Sequence, residues 1–252
     1  MTDDGLKGRV LLVTGSGRGL GAALARAAGA EKAKIVVNCR EDLKASEAIA
    51  AAVRKAGGDA LAYRADVSDY EQARGLVDHT LKAWGRIDIL VNTVGIMNWN
   101  GLTDLEPLEW RRVMASNLDS VYHMCRLVLP HMREKRFGRV VNFGAVGAAS
   151  TVGEPQMAAY AAAKAGVVAL SKSLALEEAR CGITVNVVSP GLIQDETGNS
   201  AAKAADVMLG DRVPVGHAGR AADVVRAVLF FASPAADFIT GQVLEIAGGA
   251  RL

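Results

Sequence analysis

Tyr160 and Lys164 stand four positions apart in an alanine-rich stretch that predicts a helix over residues 157–179. Residues four apart share a helix face, so the two side chains can meet. Because a nearby ammonium stabilises a phenolate, we expect the pKa of Tyr160 to lie below its usual value of about 10. Such a tyrosine can pass a proton to a carbonyl oxygen while hydride reaches the carbon. Taken alone, such a pair is more often a half-buried tyrosine and a solvated lysine that have no catalytic role.

A glycine-rich turn at residues 14–21 lies between a short apolar run, 10–13, and a helix-favouring run, 22–28. Strand, turn and helix in this order form the first half of a βαβ unit. The glycines allow a pyrophosphate to approach the backbone, and the N-terminus of the following helix attracts an anion. The spacing differs from the common Gly-x-Gly-x-x-Gly fingerprint, so a loop that only turns the chain is the alternative.

The elements around these two motifs alternate between apolar strands and helices along the whole chain. This alternation predicts a single doubly wound α/β domain over residues 1–252, with one parallel sheet and helices on both faces. The predicted strands are 10–13, 35–37, 60–64, 87–91, 139–143, 183–188 and 242–246. The predicted helices are 22–28, 41–56, 68–84, 107–132, 157–179, 201–209 and 221–232.

Composition excludes several classes of protein. Half of the 252 residues are hydrophobic, the net charge is +2, and lysines and arginines do not cluster, so we expect neither a nucleic-acid nor a membrane partner. The N-terminus is acidic and does not resemble a signal peptide, and no run of about 18 apolar residues is present. Cys39, Cys125 and Cys181 are far apart and lack metal-ligand spacing, which predicts free thiols, no metal and a cytoplasmic location.

Polar and glycine-rich groups follow several of the predicted strands. Because ligands of doubly wound sheets bind at the carboxyl ends of the strands, these groups are expected to meet at one site. They are residues 15–21, Asp66, residues 92–95, Ala145 and residues 190–191.

Together these motifs resemble the short-chain dehydrogenase/reductase family, in the branch that includes bacterial 3-oxoacyl-acyl-carrier-protein reductases. The resemblance covers almost the whole chain: the glycine turn, Asp66-Val67, Asn117, Tyr160-x-x-x-Lys164, Pro190-Gly191 and residues 238–242 all match family motifs. It implies that Tyr160 donates the proton, with Lys164 and an Asn117-bound water as a relay. It also implies cofactor contacts from Gly15, Ser16, Gly17, Arg18, Gly19, Leu20, Gly21, Asn38, Arg40, Asp66, Val67, Asn92, Gly95, Tyr160, Lys164, Pro190, Gly191 and Ile193.

The family's catalytic serine has no clear counterpart. Counting forward from the fifth strand places it at Ala145, and counting back from Tyr160 places it at Gly147. Neither residue has a hydroxyl group, whereas Ser150 and Thr151 reach the site only if the loop folds back. We prefer the interpretation that the serine is absent and that Ala145 occupies its position.

Three smaller departures accompany this one. Thr93-Val94 replaces the usual Asn-Ala, which we expect to be tolerated, and Ala247 replaces a frequent aspartate. Asp195 stands where a threonine often bonds the nicotinamide amide, a contact that Thr197 could supply instead.

The end of the second strand predicts NADP(H) rather than NAD(H). An NAD site usually has an acidic residue there, whereas this chain has Arg40, with Arg18 in the neighbouring glycine turn. Two guanidiniums can clamp a 2′-phosphate. Glu41 is the counter-argument, although we expect it in the first turn of a helix; a merely solvated Arg40 is the alternative.

Two functions follow from these observations. The first is an NADP-dependent reductase that converts a carbonyl to an alcohol. Its simplest substrate is a 3-oxoacyl thioester or similar β-keto compound, either free or linked to a carrier. The activity would be reduced if the serine is missing. The second is a catalytically weak cofactor-binding relative that serves as a binding or assembly subunit. Met97, Trp99, Met157 and residues 192–220 are expected to shape the substrate site, unless they are ordinary core or lid packing. The resemblance also implies a homotetramer, in which the two long helices pack across a two-fold axis.

Overall fold

A computed structural model describes residues 5–194 and 213–250. These residues form one seven-stranded parallel sheet in the order β3-β2-β1-β4-β5-β6-β7. The strands are β1 (Val10–Thr14), β2 (Lys34–Cys39), β3 (Asp59–Arg64), β4 (Ile89–Asn92), β5 (Gly138–Phe143), β6 (Ile183–Pro190) and β7 (Val243–Ile246).

Helices cover both faces of the sheet, as predicted. They are α1 (Gly19–Ala30), α2 (Leu43–Lys55), α3 (Tyr70–Trp84), α4 (Pro107–Met114), α5 (Ser120–Lys135), α6 (Ala158–Glu178) and α7 (Ala221–Ala232). One buried apolar cluster joins the sheet to α1, α2 and α7, and a second joins it to α3, α5 and α6. No helix within the described part of the chain combines the length and apolar character needed to cross a bilayer.

Local sequence signals set several helix ends where they were expected. The Asp69 carboxylate accepts a hydrogen bond from the backbone N–H of Gln72 at 3.0 Å and so caps α3. Gly85 ends the same helix in the left-handed conformation, with φ 68°. The predicted helix 221–232 is α7, and the predicted helix 201–209 lies outside the described residues.

Two predicted boundaries were wrong for identifiable reasons. The fourth strand begins at Ile89 rather than at residue 87, because the Asp88 carboxylate itself takes the Val10 N–H at 2.9 Å. Helix α2 begins at Leu43 rather than at residue 41, because Asp42 is the cap and accepts from Ala45 N–H at 2.8 Å. Glu41 therefore lies outside the helix, contrary to our expectation.

The long helix predicted over 107–132 continues to Lys135 but is not regular. A π-helical turn, Ala115–Asp119, joins α4 to α5. Single π turns inside α-helices widen the helix locally and are frequent at functional sites. Asn117, one of the predicted site residues, lies in this turn.

The sheet has its topological switch point at β1. This strand pairs with β2 on one side and with β4 on the other, so the connections leave in opposite directions. The crevice beyond the carboxyl ends of β1 and β4 is the place where such sheets bind ligands. The glycine turn follows β1 and lies at this crevice.

Candidate active site

Two cavities open at the carboxyl edge of the sheet. The first, of about 500 Å³, is called the glycine-turn cavity because most of residues 15–21 line it, with Asn38, Arg40, Asp66, Val67 and Gly95. The second, of about 760 Å³, is called the tyrosine cavity and is lined by Tyr160, Lys164, Ala145, Pro190 and Gly191, among others. The structure therefore brings together most of the predicted site residues.

The glycine turn has the shape that a phosphate group requires. A Cβ on Gly21 would lie 2.8 Å from the Gly15 carbonyl oxygen, and a Cβ on Gly15, at φ 63°, would lie 2.9 Å from Val94 Cγ2. The turn is therefore closed to side chains, and α1 begins at Gly19 with no side-chain cap on its N-terminal N–H groups. Free N–H groups at a helix start bind anions, so the residues present fit a dinucleotide pyrophosphate.

Ser16 and Asn38 hold this turn against β2. The Ser16 hydroxyl donates to the Val13 carbonyl at 2.6 Å and accepts from the Asn38 N–H at 3.0 Å. The Asn38 side-chain oxygen accepts from the Gly15 N–H at 3.1 Å. Asn38 lines the cavity, but Ser16 is fully buried and does not, so its hydroxyl shapes the turn rather than facing a ligand.

Asp66 and Val67, both predicted to contact the cofactor, line the glycine-turn cavity, and one Asp66 carboxylate oxygen accepts from the N–H of Ser68 at 2.9 Å and from its hydroxyl at 2.6 Å. Cys39 also lines this cavity, although it was not among the predicted site residues.

Charged side chains line the same cavity. Arg18, Arg40, Glu41 and Asp42 all line the cavity. The Arg40 guanidinium is paired with Glu41: its Nε donates to Glu41 Oε1 at 2.9 Å, and a terminal nitrogen lies 2.8 Å from the same oxygen. Arg40 is therefore not merely solvated, because its positive charge is paired with the carboxylate of Glu41.

Asn92 was predicted to contact the cofactor but faces the interior. It is buried, and its amide nitrogen donates to the Asn142 side-chain oxygen at 2.8 Å. The next residue, Thr93, does line the glycine-turn cavity. Its hydroxyl donates to the Thr14 carbonyl at 2.6 Å. The substitution in Thr93-Val94 is accommodated in this way.

Gly95 lies between Asn117 and Lys164. A Cβ at Gly95 would be 2.5 Å from Asn117 Oδ1 and 3.3 Å from Lys164 Nζ, so these two polar atoms lie near one point. Asn117 Nδ2 donates to the Ile96 carbonyl at 2.8 Å and to the Val113 carbonyl at 2.9 Å. Its Oδ1 is buried and has no hydrogen-bond partner among the described residues.

Tyr160 and Lys164 share one face of α6, as predicted. The Lys164 ammonium lies 5.7 Å from the centre of the Tyr160 ring and donates to the Phe143 carbonyl at 2.8 Å. Burial lowers the pKa of Lys164 from 10.5 to about 8, and burial raises the pKa of Tyr160. The expected fall in the Tyr160 pKa was wrong for this structure, because burial of the phenol disfavours its charged form.

Ala145, not Gly147, lines the tyrosine cavity together with Tyr160. Ala145 lines that cavity, whereas Gly147 does not and donates its N–H to Glu245 at 2.8 Å. Ser150 is exposed and lies away from the cavity wall, so the interpretation that it replaces the serine loses support. Thr151 does line the cavity, with its hydroxyl donating to the Ser150 carbonyl at 2.7 Å.

The remaining wall residues met the predictions in part. Met97 and Trp99 line the tyrosine cavity and are exposed, and Met157 lines it and is buried. Gly191 packs against Ala247, whose Cα lies 3.0 Å from a Cβ built at Gly191. Ile193 does not line the cavity, because it packs on the core below α7. Asp195 and Thr197 lie outside the described residues.

Leu192 and Val213, from the segment expected to shape the substrate site, do line the tyrosine cavity. Three other wall residues could not be found by motif: Val152 and Glu154 line the tyrosine cavity, and Ser116 lines the glycine-turn cavity. Their residue types carry no chemical signal at these positions, and only the course of the loops places them. In residues 5–194 and 213–250, no group of three or more His, Cys, Asp or Glu side chains is placed to hold a metal.

Comparisons with known proteins find similar sequences over almost the whole chain. A family model described as enoyl-(acyl carrier protein) reductase matches residues 15–251. The 3-oxoacyl-(acyl-carrier-protein) reductase FabG of Haemophilus influenzae is 40% identical over 98% of this chain and 100% of its own length. The 3beta-hydroxysteroid dehydrogenase 1 of Eggerthella lenta is 38% identical, over 99% of this chain and 96% of its own.

Solved structures agree as well. A gluconate 5-dehydrogenase from Burkholderia cenocepacia, in complex with NADP and tartrate, matches with a TM-score of 0.89 and 35% identity. The match covers 98% of this chain and 96% of that one.

Proposed function

The chain belongs to the short-chain dehydrogenase/reductase family, and we propose that it reduces a ketone carbonyl to an alcohol with NADP(H). The observation that carries the proposal is that Tyr160 and Lys164 line the tyrosine cavity, while Asn117 Oδ1 and Lys164 Nζ both lie next to Gly95, which lines the glycine-turn cavity. In such a site the bound nicotinamide supplies hydride, and the chain's own residues position the carbonyl and supply the proton.

Tyr160 is the proposed proton donor. Because burial raises its pKa, the phenol stays protonated at neutral pH and can donate to the developing alkoxide. Lys164, held by the Phe143 carbonyl, supplies positive charge beside the ring, and the Asn117 acceptor holds a water that can replace the proton.

Ala145 is the residue that we propose reduces the activity of the site. A hydroxyl at this position would donate to the substrate carbonyl, and the methyl group of alanine cannot. Loss of one such donor typically lowers kcat by about 10²–10³, which reduces catalysis without abolishing it.

NADP(H) is the proposed cofactor, and its support is the presence of Arg18 and Arg40 on the wall of the glycine-turn cavity. The NADP in the Burkholderia cenocepacia relative agrees with this choice. For the substrate, the names of the relatives support a 3-oxoacyl thioester or similar β-keto compound, free or bound to a carrier. The free thiols of Cys39, Cys125 and Cys181 suit a cytoplasmic enzyme.

We further propose a homotetramer. Leu108 on α4 and Leu176 on α6 are 76% and 83% exposed. A second copy that packs on these helices would bury both side chains.

Isotope transfer tests the reaction directly. NADPH deuterated at the nicotinamide C4 should label the carbinol carbon of the product from ethyl acetoacetate, and Tyr160→Phe should stop the reaction. Tight NADPH binding without a labelled alcohol product from any ketone would instead favour the second candidate, a cofactor-binding subunit, for which the missing hydroxyl at Ala145 is the supporting observation.

A further inference from the structure

The loop between β5 and α6, residues 144–157, forms a large part of the tyrosine cavity wall. Ala145, Val146, Ala148 and Thr151 all belong to this loop and line the cavity. Tyr160 stands on α6 and lines the same cavity. The position of the loop against the sheet therefore decides how a ketone fits beside the tyrosine.

Hydrogen bonds inside the loop fold it around Gly147, which is buried and has φ 79°. The Gly147 carbonyl accepts from the N–H groups of Ser150 at 3.2 Å and of Val152 at 2.9 Å. The Ala145 carbonyl accepts from the Ala148 N–H at 3.0 Å. These bonds give the loop a compact shape, but they do not attach it to the sheet, because both partners belong to the loop.

The two ends of the loop are attached to neighbouring segments. The Gly144 N–H donates to the Val188 carbonyl on β6 at 2.9 Å, and the Gln156 carbonyl accepts from the Asn100 N–H at 3.0 Å. Between these ends, Ala148 packs in a small apolar cluster. Apolar contacts are not directional, so a small cluster does not by itself fix the course of the backbone.

Glu245 on β7 supplies a directional contact in the middle of the loop. Its Oε1 accepts from the Gly147 N–H at 2.8 Å, although the two residues are 98 positions apart in the sequence. A hydrogen bond to an ionised acceptor is stronger than one between neutral groups, and a buried N–H without a partner is unfavourable. The carboxylate therefore holds the loop at the residue on which its internal bonds converge.

The end of β7 and the residues after it also contact other parts of the cavity wall. The Ile246 carbonyl accepts from the N–H of Gly191, a wall residue, at 3.0 Å. A Cβ built at Gly248 would lie 2.7 Å from Cγ1 of Val213, another wall residue. This end of the sheet thus supports several segments of the wall, and Glu245 links the loop to it.

We infer that Glu245 is a positioning residue for the substrate: its carboxylate holds the 144–157 loop in place and thereby sets how tightly the tyrosine cavity binds a ketone. Glu245 does not itself line the cavity, so it acts through the loop. Without the carboxylate, the loop would hold its substrate-binding position for only part of the time, which weakens apparent binding. Residues 144–157 do not line the glycine-turn cavity, so cofactor binding should not depend on Glu245.

This inference rests on the proposed function in taking the tyrosine cavity as the ketone site. The test measures the KM and kcat of the full chain for ethyl acetoacetate, together with the NADPH dissociation constant. Glu245→Ala should raise the KM by about five- to tenfold, with a smaller change in kcat. Its NADPH dissociation constant should stay within about twofold of the wild-type value. Glu245→Gln keeps an oxygen acceptor, so its KM should also stay within about twofold of wild type.

Asp69→Ala is the matched control. The Asp69 carboxylate also accepts one backbone N–H, that of Gln72 at 3.0 Å, but it caps α3 and lines neither cavity. Its loss should lower the thermal midpoint, as Glu245→Ala does, and leave the KM unchanged. Hydrogen exchange provides a readout that needs no turnover. The amides of Ala148 and Val152 should exchange faster by about fivefold or more in Glu245→Ala and at the wild-type rate in the other two variants.

The outcomes separate the role of Glu245 from the proposed function. If Glu245→Ala leaves the KM unchanged, if Asp69→Ala raises it equally, or if Glu245→Gln is as impaired as Glu245→Ala, the role of Glu245 is wrong while the proposed function stands. If the wild-type chain reduces no ketone, the proposed function fails, and hydrogen exchange decides the rest. Faster exchange of the loop in Glu245→Ala alone would then support its anchoring by Glu245, and unchanged exchange would overturn it.

Discussion

The Lys164 ammonium donates its hydrogen bond to the carbonyl oxygen of Phe143, 2.8 Å away, and lies 5.7 Å from the centre of the Tyr160 ring. The lysine is thus held by a backbone carbonyl at the end of β5, and it acts on the tyrosine through its charge rather than through a hydrogen bond. It is 4% exposed, which makes the charge costly.

The cost of burying the Lys164 charge predicts that the free energy of unfolding depends on pH. The pKa of Lys164 is about 8 in the folded chain against 10.5 unfolded, so the unfolded state binds more protons between these values and stability rises with pH there. Relative to Lys164→Met, the wild type should gain about 2–3 kcal/mol between pH 8 and pH 10. Urea unfolding at several pH values measures this difference.

Lys172→Met provides the control, because Lys172 is an exposed lysine on the same helix. Its difference from wild type should stay constant over the same range. A constant difference for Lys164→Met as well would show that Lys164 is not desolvated in solution.

Much of the fold could be predicted from local sequence. Apolar runs predicted the strands. Asp42 and Asp69 predicted two helix caps and Gly85 predicted a helix end, because each of these residues acts through backbone groups within a few residues. The π turn could not be predicted, since a shift to i→i+5 hydrogen bonds has no composition of its own.

The candidate site was predictable in its members but not in their orientation. Asn92 turns inward to Asn142, and Ser16 turns inward to Val13, because buried polar groups take the partners that the packed sheet offers. The pKa of Tyr160 moved opposite to the expectation because spacing reveals a neighbouring charge but not the loss of solvent.

Gly95→Ala should separate Asn117 from its place beside Lys164. The added methyl would lie 2.5 Å from Asn117 Oδ1, so the amide or the π turn must move. We expect stability to fall by about 1–3 kcal/mol and kcat to fall by at least about tenfold. Steady-state kinetics and urea unfolding measure the two effects.

Gly75→Ala is the matched control for this variant. It adds a methyl group within α3, where the Cβ meets only the Tyr63 hydroxyl at 3.2 Å. Normal kinetics for both variants would mean that the Asn117 acceptor does not take part in proton transfer.

The tetramer proposal predicts the effect of charge on two exposed leucines. Sedimentation should give a particle of four 26.3 kDa chains for the wild type. Leu108→Glu combined with Leu176→Glu would bury carboxylates in the interface and should yield smaller particles. Leu43→Glu, at an exposed position on α2, should leave the assembly intact. A wild-type chain that sediments as a monomer at micromolar concentration rules the tetramer out.

The absent hydroxyl gives the most specific prediction. Ala145 lines the tyrosine cavity beside Tyr160, so Ala145→Ser places a donor where the substrate carbonyl is expected. We expect kcat to rise by about 10²–10³, which corresponds to roughly 2.7–4 kcal/mol of transition-state stabilisation. The NADPH dissociation constant should be unchanged, because the glycine turn and Arg40 lie in the other cavity.

Two loop variants test whether another hydroxyl already donates to the substrate carbonyl in the wild type. Ser150→Ala should have no effect on kcat, because Ser150 is exposed and does not line the cavity. Thr151→Val should also have little effect, because the Thr151 hydroxyl proton is engaged by the Ser150 carbonyl at 2.7 Å. If Thr151→Val instead abolishes the wild-type rate and Ala145→Ser restores it, Thr151 is the donor in the wild type. The loop then releases that hydroxyl when substrate binds, at the cost of one hydrogen bond worth about 1 kcal/mol.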